Sequence, residues 1–551
     1  GTHWLNRANQ DLAAWFGPAE ESLRAALGYY DGAGMRAQAA DARYMLALLC
    51  ANAAARVDAP ALVEHALAEL AAAEADYDAV RREFSPGGAL DAQPGKQALA
   101  ASSRRIYDLA VQLLLFHRRD VDQAWRWTQR AKARALTDMM GTGSAVPGRV
   151  LAALESEPAP LRLARAEESL AQRLSTAPAD ERPALRKELR ALQARVDADP
   201  RLREYRELRS GAALEAGDLV SMAAGAAGPA TVFVDWMEAG RRLVLLARRA
   251  HGPAQAVVLA PGLEKVAAFV AANLAPQSFR DTLGVNFEIL DELDSLIQPL
   301  AALAAPGERL VLCPTGPLHA VPLHALRIGG EPLLARNPVV YAPSLTVLRH
   351  CLARRHPRAG GIRTAALLGD PGGDRDEADA LVRDLGPRFG AAPLLRGEVT
   401  RAAFAAAVAE ADLVHFQGHA RHDPADPLAS RLELADGVMT ARDVFGLPRL
   451  RAELVVLAAC ESAASVVRTG DELLGLIPAF LFAGAQSVLA TLWRVVGPSA
   501  ALVMRHFYDA LADGAVDRAE ALRRAMLAVR AVPGREAPYH WAPFVLHGAW
   551  R

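Results

Sequence analysis

The chain has 551 residues, of which 52% are hydrophobic and 23% charged, the proportions of a soluble globular protein of roughly two to four domains. A net charge of −1 and a pI of about 7.0 exclude the electrostatic footprint of a nucleic-acid partner or an anionic membrane surface. Arginine greatly outnumbers lysine, present only as Lys96, Lys132, Lys187 and Lys265, and with the alanine richness this reads as a GC-rich bacterial genome.

Residues 1–140 read as helix after helix. In "SLRAALGYYDGAGMRAQAADARYMLALL" one helix carries Leu23, Leu27 and Tyr30, a turn falls at Gly32–Gly34, and a second helix carries Ala40, Tyr44 and Leu48. Ala26, Ala40 and Ala47 are small enough to let the pair approach closely. The pattern resembles a degenerate tetratricopeptide (TPR) repeat; a plain helical bundle is the alternative. Stacked hairpins form a concave face suited to docking a regulator. Residues 141–215 open on the break "GTGSAVPG" and continue as a charged helical hairpin with Leu161, Leu170, Leu174, Leu185, Leu189 and Leu192 on its apolar stripes.

From about 216 the texture changes to strands alternating with helices, the pattern of a mostly parallel sheet. "ATVFVDWMEAGRRLVLLARR" reads as two strands about a glycine turn. "ERLVLCPTGPLHAVPLHAL", "RTAALLGDP", "ADLVHFQGHA", "AELVVLAACES" and "AQSVLATLW" each read as a strand running into a turn. The uncharged run 473–493 has the length of a membrane span. Pro478 and Gly484 divide it, however, into a helix to about Ala483 and a strand over Ser487–Leu492. The fold class expected is therefore α plus α/β, with an N-terminal helical-repeat region and a mostly parallel sheet. The boundaries expected are 1–140, 141–215, 216–350 and 351–551.

Two strands end on reactive side chains: "DLVHF" runs out at His419 and "LVVLAA" at Cys460. If they are parallel neighbours, both side chains leave the same edge of the sheet, where ligands bind in such folds. An imidazole beside a thiol makes a nucleophile able to attack a carbonyl. The backbone N–H groups of Cys460 and of a residue beside His419 can hold the oxyanion. Taken alone, Cys460 also reads as a buried spacer. A zinc set of His415, His419, His422 and Cys460 is disfavoured, because residues four apart share a face on a helix and not along a strand. No other cofactor is expected. Cys50, Cys313, Cys351 and Cys460 lie far apart without a CxxC pair, and no signal-peptide pattern precedes them; a reducing cytoplasm is expected. The opening "GTHWLNRANQ" lacks a methionine and reads as a piece of a longer chain. "PTGPLH" and "GDPGGDRDE" are weak phosphate-loop candidates without P-loop spacing.

The block from "ADLVHFQGHARHDPADP" through "ELVVLAACESAASVVRTGDELLGLIPAFLFAGAQSVLATLWRV" resembles the CHAT domain, the caspase-HetF-associated-with-TPRs family of clan CD cysteine peptidases. "LVLCPTGPLHAVPLHAL", "PVVYAPSLTVL" and the closing "HWAPFVLHG" extend the resemblance over about 216–551, and "QRAKARALTDMM" resembles the end of a TPR region. The resemblance implies His419 as catalytic histidine, Cys460 as nucleophile, and the N–H groups of Ala420 and Cys460 as oxyanion donors. It implies a substrate-pairing role for Thr491–Arg494 by strand addition. Glu461, Asp471, Trp493 and Arg494 are the candidate substrate-binding residues, with Asp412 and Glu472 further candidates for a pocket taking a basic side chain. Asp471 is also an N-cap candidate. Residues 216–350 are expected to be a pseudo-protease half. The function implied is regulated cysteine endopeptidase activity on a protein substrate in bacterial antiviral defence or cell death, with a gasdermin-like or CRISPR-linked partner. The alternative is a catalytically silent TPR/CHAT scaffold for protein–protein interaction.

Overall fold

The computed structural model describes residues 12–57, 59–83, 94–140, 154–178, 180–210, 214, 216–223, 229–274, 287–354, 362–374, 376–423, 426–447, 450–459, 475–493, 497–512, 514 and 516–551. They fall into two compact units. The first is Gly1–Val146, Leu154–Ala213 and Glu238–Arg241; the second is Pro147–Ala153, Leu214–Met237 and Arg242–Arg551.

The first unit is helical. Its helices Leu12–Gly32, Arg36–Ala54, Pro60–Glu83, Pro94–Leu113, Val121–Met140, Pro158–Thr176, Arg182–Ala198 and Arg203–Ser210 pack mainly against their sequence neighbours. Ala40 and Ala47 are fully buried and Ala26 half-buried, and Ala19 and Leu23 of the first helix form a buried cluster with Leu46 and Leu49 of the second. Polar groups tie the later hairpins. Buried Glu74 accepts from the Tyr107 hydroxyl at 3.1 Å and the Arg130 Nε at 3.0 Å. Arg43 bridges Asp31, Glu69 and Asp76. A buried carboxylate persists only with such partners.

The second unit is built on strands β1 (Thr231–Ala239), β2 (Arg242–Arg249), β3 (Gln255–Val258), β4 (Arg309–Cys313), β5 (Arg327–Ile328), β6 (Glu331–Pro332), β7 (Val339–Tyr341) and β8 (Ala365–Gly369). After these come β9 (Leu394–Leu395), β10 (Leu413–Gly418), β11 (Ala420–Arg421), β12 (Arg431–Leu434), β13 (Gly437–Thr440), β14 (Leu454–Ala459), β15 (Ser487–Thr491) and β16 (Phe544–Gly548). Eleven of them form one sheet in the order β3-β2-β1-β4-β7-β16-β15-β14-β10-β8-β9.

The polarity of this sheet decides what shares an edge. β1, β4, β7 and β16 run parallel to one another, and so do β15, β14, β10, β8 and β9. Between the blocks β16 and β15 pair antiparallel, from Ser487↔Gly548 to Thr491↔Phe544. The C-terminal ends of one block therefore lie at the edge where the other block begins. The turn after β4, with "PTGPLH", opens on the opposite edge from the turns after β8 and β10. The 216–350 segment thus contributes strands to the same sheet, and the loops that enter β4 and β7, not those that leave them, open on the edge that bears His419.

Buried strands of this kind are continuous apolar runs, because both faces are covered. β10 and β15 are buried at every position. The run 473–493 divides as its proline and glycine suggest, into a helix Leu476–Ala483, a left-handed turn at Gly484 (φ 132°) and β15. Among the described residues no helix is long and apolar enough to cross a membrane.

Candidate active site

The register of β10 and β14 places Gly418 beside Ala459. In sequence the next residues are His419 and Cys460, so two adjacent parallel strands end level with each other immediately before the two reactive side chains. Parallel neighbours lie about 4.8 Å apart. Cys460, Glu461, Asp471 and Glu472 lie outside the described residues, as does Arg494.

His419 is held from two directions. Its carbonyl accepts the N–H of Glu433 at 3.0 Å, which fastens its backbone to the ribbon β11-β12-β13. Its ring Nε2 lies 3.0 Å from both carboxylate oxygens of Asp374. An ionised carboxylate only accepts, so Nε2 carries the proton in that contact. Ala420 follows as the first residue of β11, paired with Leu432 and almost fully buried.

Asp374 comes from the turn after β8, the "GDPGGDRDE" segment that the sequence offers only as a weak phosphate loop. That turn is stitched to β10. Asp370, fully buried and with a positive φ of 41°, donates its N–H to the Gln417 carbonyl at 2.8 Å. The Asp370 side chain then accepts the Asp374 N–H at 3.1 Å, and the Asp370 carbonyl the Gly373 N–H at 3.0 Å. The turn crosses close over the end of β10. A Cβ on Gly418 would lie 2.8 Å from Phe416 Cζ and 3.0 Å from Pro371 Cδ, so only glycine lets the loop approach. The legible signal was a carboxylate in a Gly/Pro turn at a strand end; its contact with His419 spans 45 residues of chain.

The other candidate residues fall elsewhere. His415, inside β10, is fully buried with Nδ1 2.7 Å from the Tyr508 hydroxyl. Burial pushes its imidazole down to about 4. His422 is half-buried beside Ser430, its Nδ1 3.1 Å from that hydroxyl. Among the described residues no cluster is suited to a metal ion.

Two expectations need correction. Asp412 precedes β10, so it lies at the edge opposite His419. Its buried carboxylate accepts the N–H groups of Arg363 and Thr364, each at 3.1 Å, so it is spent on closing the β8–β10 entry and does not line a substrate pocket. Thr491 pairs with Phe544, and Leu492 donates to the Pro543 carbonyl at 2.8 Å, so the first half of Thr491–Arg494 is already committed to β16. Trp493 is buried, its indole N–H donating to the Tyr539 carbonyl at 3.3 Å; that side chain packs in the core.

The CHAT domain family matches residues 290–549. The chain carries a CHAT domain. It spans β4 to β16, and so both polarity blocks of the sheet, with β1–β3 preceding it. The chain is also 27% identical over 290 residues to human tetratricopeptide repeat protein 28, covering 46% of this chain and 11% of that protein. The mouse protein of the same name is 27% identical over 297 residues, covering 44% and 12%. The chain thus spans about a tenth of the length of these relatives. Among solved structures, Saccharomyces cerevisiae separase in its securin complex gives a TM-score of 0.46 at 10% identity, covering 96% of this chain and 54% of that one.

Proposed function

We propose that the CHAT domain is a cysteine endopeptidase with His419 as acid–base and Cys460 as nucleophile. The observation that carries this reading is the β10–β14 register, which ends two adjacent parallel strands immediately before these two residues. His419 takes the thiol proton, and the thiolate attacks the scissile carbonyl. The imidazolium then protonates the leaving amine as the tetrahedral intermediate collapses to a thioester. Water, deprotonated by His419, releases the acid and restores the thiol. The N–H groups of Ala420 and Cys460 are the proposed oxyanion donors. The helical hairpins are the proposed dock for a regulator. By resemblance, the setting is regulated proteolysis in bacterial defence or cell death.

The test is cleavage of a proteome-derived peptide library by the full chain, Cys460→Ala and His419→Ala, with cleaved ends identified by mass spectrometry. Cleavage is expected from the wild-type chain alone. Cleavage that survives either substitution overturns the dyad. The same cleaved ends define the side chain preferred next to the scissile bond.

A further inference from the structure

We infer that Asp374 is the positioning residue of the dyad, holding His419 as the Nε2–H tautomer so that Nδ1 exchanges the proton with the Cys460 thiol. This rests on the dyad reading above. In a neutral imidazole one nitrogen carries the proton and the other the basic lone pair, and the partner of the first decides which is which. Both oxygens of Asp374 lie 3.0 Å from Nε2, which assigns the proton there and the lone pair to Nδ1.

The geometry around Asp374 is built to keep it in place. Asp370 caps its backbone N–H, and Asp370 is itself buried and bonded to the Gln417 carbonyl, two residues before His419. A left-handed φ at a non-glycine residue is costly and is retained only where surrounding contacts fix it. Gly418 lets the turn press onto β10, and a Cβ on Gly372 would lie 3.2 Å from an Asp374 carboxylate oxygen and 3.8 Å from His419 Cδ2. One turn thus reaches from the end of β8 to the imidazole with little slack. The Asp374 side chain is 61% exposed against 29% for His419, so water screens much of its charge and the larger part of its effect is orientation.

The experiment uses the full chain as wild type, Asp374→Ala, Asp374→Glu and His419→Ala. Cys460 alkylation by iodoacetamide is followed by mass spectrometry from pH 5 to 9, and the ring nitrogens of His419 are read by 15N NMR of histidine-labelled protein. Asp374→Ala is expected to slow Cys460 alkylation at pH 6.5 by about tenfold, to move the profile to higher pH, and to mix the two tautomers. Asp374→Glu is expected to recover most of the rate and the Nε2–H signature. If His419→Ala slows alkylation but Asp374→Ala changes neither profile nor tautomer, the positioning role is overturned and the dyad stands. A rate loss in Asp374→Ala with the tautomer unchanged, or one that Asp374→Glu does not recover, marks a merely structural residue and also overturns it. If His419→Ala leaves Cys460 alkylation unchanged, the dyad itself fails and the inference falls with it.

Discussion

Side chains that look alike in sequence are put to different use by burial. His415 and His419 are four residues apart, yet one is sealed against Tyr508 and the other stands at the strand exit with Asp374. His415 and His324 are held down to about 4, and His547 to about 3, each by burial first. Unfolded histidines titrate near 6.5. The unfolded chain therefore binds more protons than the folded one below that value, and stability is lost as pH falls from about 6.5 towards 4. Each such imidazole contributes a slope of up to about 1.4 kcal/mol per pH unit. The melting temperature is expected to fall across this window, and less steeply in His415→Phe than in wild type; equal slopes would remove His415 from the explanation. Gly418→Ala is a second case. The added Cβ meets Phe416 and Pro371, so a destabilisation of about 1–3 kcal/mol is expected, read by urea unfolding, together with loss of cleavage as the Asp374 turn shifts.

Elements of the second unit were largely legible. "LVHFQG", "LVVLAA" and "SVLAT" are apolar, β-prone and bounded by turn residues, and they form β10, β14 and β15. Their pairing could be anticipated from the strand–helix alternation, and with it the level ends of β10 and β14 at Gly418 and Ala459. The antiparallel pairing of β15 with β16 could not, because strand direction within a sheet depends on where the chain returns after the intervening helices and not on any local pattern. The Asp374–His419 contact was hidden for a different reason: it depends on the path of the turn after β8, which Asp370 and the close approach over Gly418 set. Helix Arg518–Arg530 makes that return, and its first residue is buried, bonded to Glu453 at 2.9 Å and to the Ser487 hydroxyl at 3.2 Å. Arg518 thus ties the starts of β14 and β15 to the helix that leads into β16. Arg518→Ala leaves a carboxylate without its cation and is expected to destabilise by about 3–5 kcal/mol in urea unfolding; Arg518→Ala with Glu453→Gln is expected to lose clearly less than the two changes summed.

At the scale of the molecule, the chain divides into a helical unit and a sheet unit that places its candidate chemistry at one edge of one polarity block. The other block widens the sheet and buries its middle. β14, β15 and β16 lie inside it, whereas β3 is an edge strand with Val258 47% exposed. Amides of β15 and β16 are accordingly expected to exchange with deuterium only on global unfolding, and those of β3 much faster; uniform protection across the sheet would contradict that arrangement. The described thiols outside the site are buried as well, and burial pushes Cys50 up to about 11. This contrast makes the proposed nucleophile directly observable. The full chain is treated at pH 6.5 with a pool of peptidyl acyloxymethyl ketones, and the adducts are located by mass spectrometry. A single adduct on Cys460 that disappears in His419→Ala is the expected result; labelling spread over Cys50, Cys313, Cys351 and Cys460, or an adduct indifferent to His419→Ala, would contradict a cysteine peptidase at this sheet edge.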